Sequence, residues 1–336
     1  MPVDEYSREL CQSETVGACL NPLPAWRKIL KMLSLRHRLG SHLQAFALAA
    51  VGFALSMSAE ETLVGPQPIG VPANFRDHVT RLQPKVPDGF TVVVQPPFVV
   101  LGDEPAAVVQ GCATNTVKWA VDRLKRDYFP RDPAEIIDVW LFRDQASYTN
   151  HALRLFHDLP TSPFGYYSAE HAALVMNIST GRGTLVHEIV HAYLHENFPA
   201  CPPWFDEGLA ALYEAPADDH GHIRGEINWR IKGLEQAIRE GKTISFRRLT
   251  SMSAKEFYGG LNSTNYNAHY AQSRYLCYYL QEKGLLKTFY HEFAACVKQD
   301  PTGYETLQRV LRVNDMEAFK KQWEDFILHW RTQPAP

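Results

Sequence analysis

The sequence lacks the features that mark several protein classes. Its 336 residues carry 34 basic and 37 acidic side chains, for a net charge of −3, and no long Lys/Arg run occurs outside the N-terminus. That balance offers no positive field for nucleic acid, so nucleic-acid binding is not expected. No C-x-x-C pair occurs among the six cysteines, which leaves a thiolate zinc site without support. Cys277 and Cys296 either pair between neighbouring helices or remain buried free thiols.

The N-terminus lacks an apolar run long enough to span a bilayer, but it has the parts of a secretory signal. The basic stretch "WRKILKMLSLRHR" precedes an apolar stretch from Leu43 to Met57 that is followed by small residues. About 15 apolar residues fall short of the ~20 that a spanning helix needs. The pattern predicts a leader over 1–59, cleaved near Ser58 or Ala59, and therefore an exported protein. An uncleaved membrane anchor is the alternative.

Beyond the leader, the hydrophobic pattern changes from strands to helices along the chain. Residues 60–88 are rich in proline and glycine and predict an irregular lead-in. Short β-branched runs then alternate with helices, and the stretch 172–178 is predicted to be an edge strand. The order predicts an α+β protein, with a small mixed sheet in a core over 89–215 and a helical C-terminal lobe of the same domain over 216–336. Helices are expected at 182–198, 203–214, 226–240, 268–282, 285–298, 303–311 and 315–332.

Three histidines within nine residues mark the first of the later helices. His187, Glu188 and His191 belong to "HEIVH", which matches the pattern H-E-x-x-H. Residues i and i+4 lie on the same helix face, so both imidazoles can reach one metal ion while Glu188 lies beside it. His195 lies roughly 12 Å along the helix axis from His187 and cannot share that ion. The pattern predicts a metal site with two histidine ligands and an adjacent carboxylate.

A second motif follows on the next predicted helix. The stretch "WFDEGLA", which begins at Trp204, matches the W-x-x-E-G-x-A pattern found on the second zinc helix of glutamate-zincin metallopeptidases. On these two motifs the sequence resembles that family, and its element order is similar to the exported peptidase-MA-like branch. The resemblance implies a thermolysin-like catalytic unit that holds one Zn²⁺ per chain through His187, His191 and Glu207. It extends over about 90–332.

The resemblance also implies a reaction and a substrate class. Zinc activates a water molecule, Glu188 acts as the general base, and a peptide bond of a peptide or protein substrate is hydrolysed. A Tyr or His well past the glutamate ligand stabilises the oxyanion in this family. Tyr270, 63 residues beyond Glu207, is the candidate here, and Tyr266 and His269 are the alternatives. The G-x-M-E-N strand of the aminopeptidase branch has no match, so an endopeptidase is expected.

Several alternatives remain open at the level of the sequence. Two alternative functions are a non-catalytic zinc-containing binding or assembly protein and a zinc hydrolase of a non-peptide bond. Glu188 argues against the first, because a structural zinc site needs no general base. Asp206 either orients a zinc histidine or lies exposed at the start of its helix. The stretch "DDHGH", from Asp218 to His222, either binds a cation or forms a solvated loop. The strand at 172–178 is expected to align an extended substrate by strand addition.

Overall fold

A mixed five-stranded sheet forms the centre of this protein. The computed structural model describes residues 72–160, 162–259 and 264–330, and the side chains of all of these except 264–267, so the predicted leader over 1–59 lies outside the described residues. The strand order is β1-β2-β3-β5-β4, in which β2, β3 and β5 are parallel and the two outer strands are antiparallel to their neighbours. The strands are β1 Thr91–Gln95, β2 Phe98–Gly102, β3 Ile137–Phe142, β4 Gly165–Ser168 and β5 Ala173–Asn177.

The inner strands are buried on both faces because helices cover each side of the sheet. In β3, Val139 and Leu141 contribute to a large apolar cluster on one face, called the major face. Trp140 and Phe142 contribute to a smaller cluster on the opposite, minor face. A pleated strand directs alternate side chains to opposite faces, and parallel strands covered on both sides therefore consist of continuous apolar runs.

Helices account for most of the chain after the sheet. Helices α1 and α4 pack on the minor face, whereas α10 packs along α6 and extends the core of the major face towards the C-terminus. The α+β class, with its small mixed sheet and helical C-terminal region, is thus confirmed. The helices are α1 Ala73–Leu82, α2 Ala106–Cys112, a π-helical turn Ala113–Lys118, α3 Trp119–Asp127, α4 Gln145–Phe156, α5 Gly183–Asn197, α6 Pro203–Leu212, α7 Arg230–Arg239, α8 Phe246–Thr250, α9 Ala254–Tyr258, α10 Thr264–Glu282, α11 Leu286–Cys296, α12 Tyr304–Leu311 and α13 Met316–Leu328.

The predicted edge strand at 172–178 is wrong in its position within the sheet. Its strand, β5, pairs with β3 on one side and with β4 on the other, so its backbone groups are used on both sides. All five residues of β5 are buried, as expected of an interior strand. The edge is formed instead by β4, which the hydrophobic pattern alone could not distinguish from its partner.

Two further stretches differ from the predicted pattern. The lead-in over 60–88 is not wholly irregular, because α1 begins directly after Pro72 and buries Phe75 and Leu82 against the minor face. The predicted helix at 226–240 begins only at Arg230, where α7 starts, and a β-hairpin precedes it. The strands of this hairpin are β6 Pro216–Asp219 and β7 His222–Gly225.

The short helices α8 and α9 were not predicted, because they have too few residues to show a helical period in the sequence.

The described part of the chain has four cysteines, and none of them forms a disulfide bond. Cys112, Cys201, Cys277 and Cys296 are all free thiols, so the pairing of Cys277 with Cys296 does not occur. Cys277 is buried, and burial raises its pKa above the ordinary value for a thiol. No helix in the described part of the chain is long and apolar enough to cross a membrane.

Candidate metal centre

Helix α5 presents two histidines on one face. Apolar residues such as Leu185 and Ile189 are buried in the major-face core, which fixes the rotation of the helix. His187 and His191 are four residues apart, and their Nε2 atoms lie 3.0 Å from each other. The side chain of His191 is 2% exposed and that of His187 is 12% exposed. Two imidazole nitrogens therefore converge on one point at the wall of the core.

Helix α6 brings Glu207 to the same point, and the motif residues around it explain how. Trp204 is buried, and its indole N–H donates to the carbonyl oxygen of Thr302 at 2.9 Å, which ties the start of α6 to the C-terminal helices. Gly208 lies against α10, where a Cβ would come within 2.9 Å of the carbonyl oxygen of Ser273. The Trp and Gly of "WFDEGLA" therefore set the position of α6, and with it the position of Glu207.

A buried arginine holds the other end of α6. Arg274 of α10 is fully buried and donates from Nε to the carbonyl oxygen of Ala211 at 2.9 Å, and from Nη2 to that of Glu226. The last carbonyl groups of a helix have no partner within it and carry partial negative charge, which a guanidinium complements. Burial nevertheless lowers the pKa of Arg274 from its ordinary value. Nothing in the sequence pattern had singled out this residue.

The three donor atoms form a nearly regular triangle. The Nε2 atoms of His187 and His191 are each 3.6 Å from Oε2 of Glu207, and they are 3.0 Å from each other. Ligand atoms about 2.0–2.2 Å from a tetrahedral metal ion lie roughly 3.4 Å apart. The spacing therefore fits three ligands of one small ion. Of the predicted ligands, the structure brings together His187, His191 and Glu207.

The charges around the triangle favour a cation at its centre. Burial alone would lower the pKa of His191, but the carboxylates of Asp206 and Glu207 outweigh it and hold that pKa well above the ordinary histidine value. Burial raises the pKa of Glu207, and the two histidines outweigh this effect and lower it. The carboxylates of Asp206 and Glu207 therefore place negative charge around the triangle, which favours a bound cation.

Asp206 orients one of the two histidines. It is buried, and its Oδ1 accepts a hydrogen bond from Nδ1 of His191 at 2.7 Å. That bond fixes the tautomer in which Nδ1 carries the proton and the Nε2 lone pair points into the triangle. Of the two alternatives for Asp206, the structure shows the carboxylate–histidine pair and not an exposed residue. Its other oxygen lies 3.3 Å from Nε2 of His195.

Glu214 occupies the equivalent place behind His187, and the sequence analysis missed it. Its Oε1 is 3.5 Å from Nδ1 of His187, which is buried and has no hydrogen-bond partner within the described part of the chain. Arg230 binds Glu214 with two bonds, of 2.7 and 3.0 Å, and lowers the pKa of that carboxyl against the opposite effect of burial. Gly183 permits the approach, because a Cβ there would lie 2.0 Å from the carbonyl oxygen of Glu214. The seven-residue spacing from Glu207 was the available signal, since within the predicted helix at 203–214 it places both residues on one face. In the structure α6 ends at Leu212, and Glu214 lies in the turn that follows.

Glu188 belongs to α5 but not to the donor triangle. It is half-buried, and its charge contributes, after burial, Tyr166 and Asp158, to raising the pKa of Tyr148 on α4. Tyr148 also packs against Tyr166 of the edge strand β4, at 6.4 Å between ring centroids. Glu188 is thus close enough to Tyr148 for its charge to act on that hydroxyl group. A carboxylate beside the ligands, and not among them, is the position that a general base requires.

Tyr270 lies beside the groups that support the site. It is buried against Phe257, and the guanidinium carbon of Arg230 is 5.7 Å from the centre of its ring. His269 instead lies near Phe257 and is half-buried, and burial lowers its pKa. The side chain of Tyr266 lies outside the described residues. Of the two candidates that can be compared, Tyr270 is thus the one connected to the site through Arg230 and Glu214.

His195 takes part in a second grouping that fits a metal ion less well. His191, His195 and Asp206 offer ligand atoms within 4.8 Å of one another. The closest pair among them is Nδ1 of His191 and Oδ1 of Asp206 at 2.7 Å, which is the length of a hydrogen bond and not the spacing of two ligands. This grouping is therefore interpreted as a network that holds His191 in place.

The "DDHGH" stretch forms the turn of the β6–β7 hairpin. Asp218 accepts a 2.6 Å hydrogen bond from Arg123, and His222 binds the buried Asp127 together with Lys287. Among the described residues, the groupings able to hold a metal ion both lie on α5 and α6. Of the alternatives for this stretch, the structure shows hairpin contacts and no cation site.

A scan against protein-family models and a search of curated proteins both found no match to this chain.

Proposed function

We propose that this protein is a zinc-dependent metallopeptidase of the glutamate-zincin kind, with a thermolysin-like catalytic unit. The observation that carries the proposal is the triangle of His187, His191 and Glu207. Glu188 directly follows His187 on α5 and is not one of the three donors. Two imidazoles and one carboxylate with an open fourth position are the ligand set of hydrolytic zinc sites. A purely structural site would use a fourth protein ligand and would have no need of a base at Glu188.

Each residue of the site has a role in the proposed reaction. A zinc ion, when bound, supplies a Lewis acid that favours deprotonation of water and polarises a carbonyl group. Glu188 accepts the proton from the attacking water and later donates it to the leaving amine. Asp206 and Glu214 keep the two ligand histidines in the required orientation. Tyr270 is proposed to donate to the developing oxyanion.

The substrate is proposed to bind along the edge strand β4. Its inner side pairs with β5, and within the described part of the chain no strand pairs with its outer side. An extended peptide can add there as a further strand, with its backbone held by main-chain hydrogen bonds. The strand at 172–178, which was expected to align the substrate, is interior, so β4 takes that role in the proposal. Because no G-x-M-E-N element is present to hold a free amine, we propose an endopeptidase that acts on peptides or proteins.

We also propose, from the predicted leader, that the protein is exported. Export through a signal at 1–59 would place the peptidase outside the cytoplasm. Nucleic acid is not a proposed partner, since the net charge of −3 offers no basic surface.

The test separates metal binding from chemistry at Glu188. Glu188→Gln keeps the size and the helix propensity of the side chain but cannot accept a proton. Zinc content should stay near one ion per chain by atomic absorption. Cleavage of a mixed peptide library should fall about 10²- to 10⁴-fold relative to wild type, and chelator should abolish the wild-type activity.

Two outcomes would contradict the proposal. Near wild-type cleavage by the Glu188→Gln variant would show that Glu188 is not the base. A wild-type protein that binds zinc but cleaves no peptide in the library would favour a non-catalytic protein or a hydrolase of another bond.

A further inference from the structure

A recess opens on the minor face of the sheet, across the sheet from α5. Its volume is about 270 Å³. Trp140 of β3, Phe156 of α4 and Leu82 of α1 are buried residues that line it, and the rings of Trp140 and Phe156 meet edge to face at 5.7 Å. Small-molecule sites are concave, mostly apolar and carry a few polar groups that fix the orientation of the ligand. The lining of this recess has that composition.

Two cationic side chains line the same recess. Lys85, just after α1, and Arg154 of α4 are both exposed residues, which places them at the opening while the aromatic rings form the interior. Within the described part of the chain neither takes part in an ion pair. A guanidinium presents two parallel N–H groups that match a carboxylate, and an ammonium adds a second positive charge. The opening therefore carries two positive charges, neither of which is held in an ion pair by a described residue.

The one acidic residue of the lining already has a partner. Asp138 of β3 is buried, and its Oδ1 lies 2.7 Å from Nε2 of His78 on α1. Burial raises the pKa of Asp138, and the hydrogen bond and charge of His78, together with the charge of Lys85, act in the opposite direction. Asp138 can therefore offset at most one of the two cations, so the opening keeps a net positive charge for a ligand anion.

We propose that this recess binds a small carboxylate that has an apolar or aromatic body. The body would enter among Trp140, Phe156 and Leu82, and the carboxylate would remain at the opening with Lys85 and Arg154. Burial of the apolar part supplies the driving force, and the two cations fix the direction of entry. The site is separate from the metal centre, because the ligand histidines lie on the major-face side of the sheet.

The test uses 3-phenylpropionate as the probe and 3-phenylpropionamide as its uncharged match. Isothermal titration of the full chain should show one site for the acid and binding of the amide that is at least about tenfold weaker, since the amide loses the charge-assisted contacts. The double variant Lys85→Gln/Arg154→Gln should weaken binding of the acid by a similar factor. Added chelator should leave the affinity unchanged.

A matched control replaces two exposed cations that do not line the recess, Arg81→Gln/Lys321→Gln. This variant should bind the acid as the wild type does, and thermal unfolding should show that both double variants remain folded. Equal binding of acid and amide would overturn the proposal, because Lys85 and Arg154 would then contribute nothing to recognition of the carboxylate. Failure of the acid to bind, or an equal loss in the control variant, would overturn it as well.

Discussion

At the scale of single residues, the site is defined by the carboxylate that lies next to Nδ1 of each ligand histidine. Asp206 holds Nδ1 of His191, and Glu214 lies behind Nδ1 of His187, so both Nε2 atoms are left to face Glu207. Outer carboxylates of this kind fix the tautomer and raise the basicity of the ligand. The chemistry of the triangle therefore depends on residues that never enter it.

The choice of the third ligand can be tested directly. Glu207→Ala removes one of three proposed protein ligands, while alanine keeps the helix favourable. We expect a large loss of zinc affinity with the fold largely retained, measured by zinc titration and circular dichroism. His195→Ala should keep full zinc occupancy because its imidazole bonds Asp206 and lies outside the triangle. Zinc content that followed His195 in place of Glu207 would show that the ligand assignment is wrong.

Asp206 should act as a positioning residue and not as a ligand. Asp206→Ala removes the acceptor of the His191 Nδ1–H group, so we expect zinc affinity to fall about 10- to 100-fold. Asp206→Asn retains a carbonyl acceptor and should recover part of that loss. Competition with a chromogenic chelator gives both values. The exposed Asp219→Asn on the hairpin is the control, and an equal effect there would refute the role of Asp206.

At the scale of elements, the site depends on how closely α6 approaches its neighbours. Gly208 lets α6 lie against α10, and Gly183 lets the start of α5 approach the backbone of Glu214. Trp204 fixes the start of α6 through the carbonyl of Thr302. Glycine at these two positions allows the backbones to approach closely. The histidines and glutamates, by contrast, supply the proposed metal ligands and the proposed base.

Two glycine substitutions on helices should have opposite effects on stability. Gly208→Ala would place a Cβ 2.9 Å from the carbonyl oxygen of Ser273 and 3.0 Å from Sγ of Cys277, so we expect a loss of about 1–3 kcal/mol. Gly233→Ala on the exposed side of α7 meets nothing within 4 Å and should stabilise by up to about 1 kcal/mol. Urea unfolding of the two variants measures both. A neutral Gly208→Ala would mean that α6 and α10 can separate at no cost.

At the scale of the whole molecule, the sheet divides two regions of different chemistry. The proposed metal centre lies on the major face, in the core shared by α5, α6 and α10. The recess with its cationic opening lies on the minor face, between α1 and α4. The C-terminal helices contribute to the first region through Arg274 and Tyr270, so the proposed catalytic domain includes them.

The leader prediction concerns the molecule as it occurs in the cell. If 1–59 is a cleaved signal, the mature protein should begin close to Ala59 or Glu60. Fractionation followed by N-terminal sequencing should find that form outside the cytoplasm. Full-length soluble protein in the cytoplasm of its native cell would contradict export, and a full-length membrane-bound form would indicate the uncleaved anchor.

The sequence predicted the elements that carry strong local patterns. The period of "HEIVH" and the flanking apolar residues gave α5 within a residue or two, and "WFDEGLA" gave the start of α6. The edge strand was misplaced because strand order depends on pairing between distant segments, which hydrophobicity does not encode. The hairpin β6–β7 was missed because each of its strands has only four residues, which are too few to show a clear strand period in the sequence.

By itself, the sequence determined the α+β class and the identity and spacing of the residues that can hold a metal ion. These follow from helical geometry, which places His187 and His191 on one face wherever the helix forms. Only the tertiary structure decided that Glu207 completes a triangle with sides of 3.0 to 3.6 Å, and that Glu214 and Arg230 stand behind it. Those distances depend on how separate helices pack against one core, and packing is a property of the whole chain and not of any local pattern.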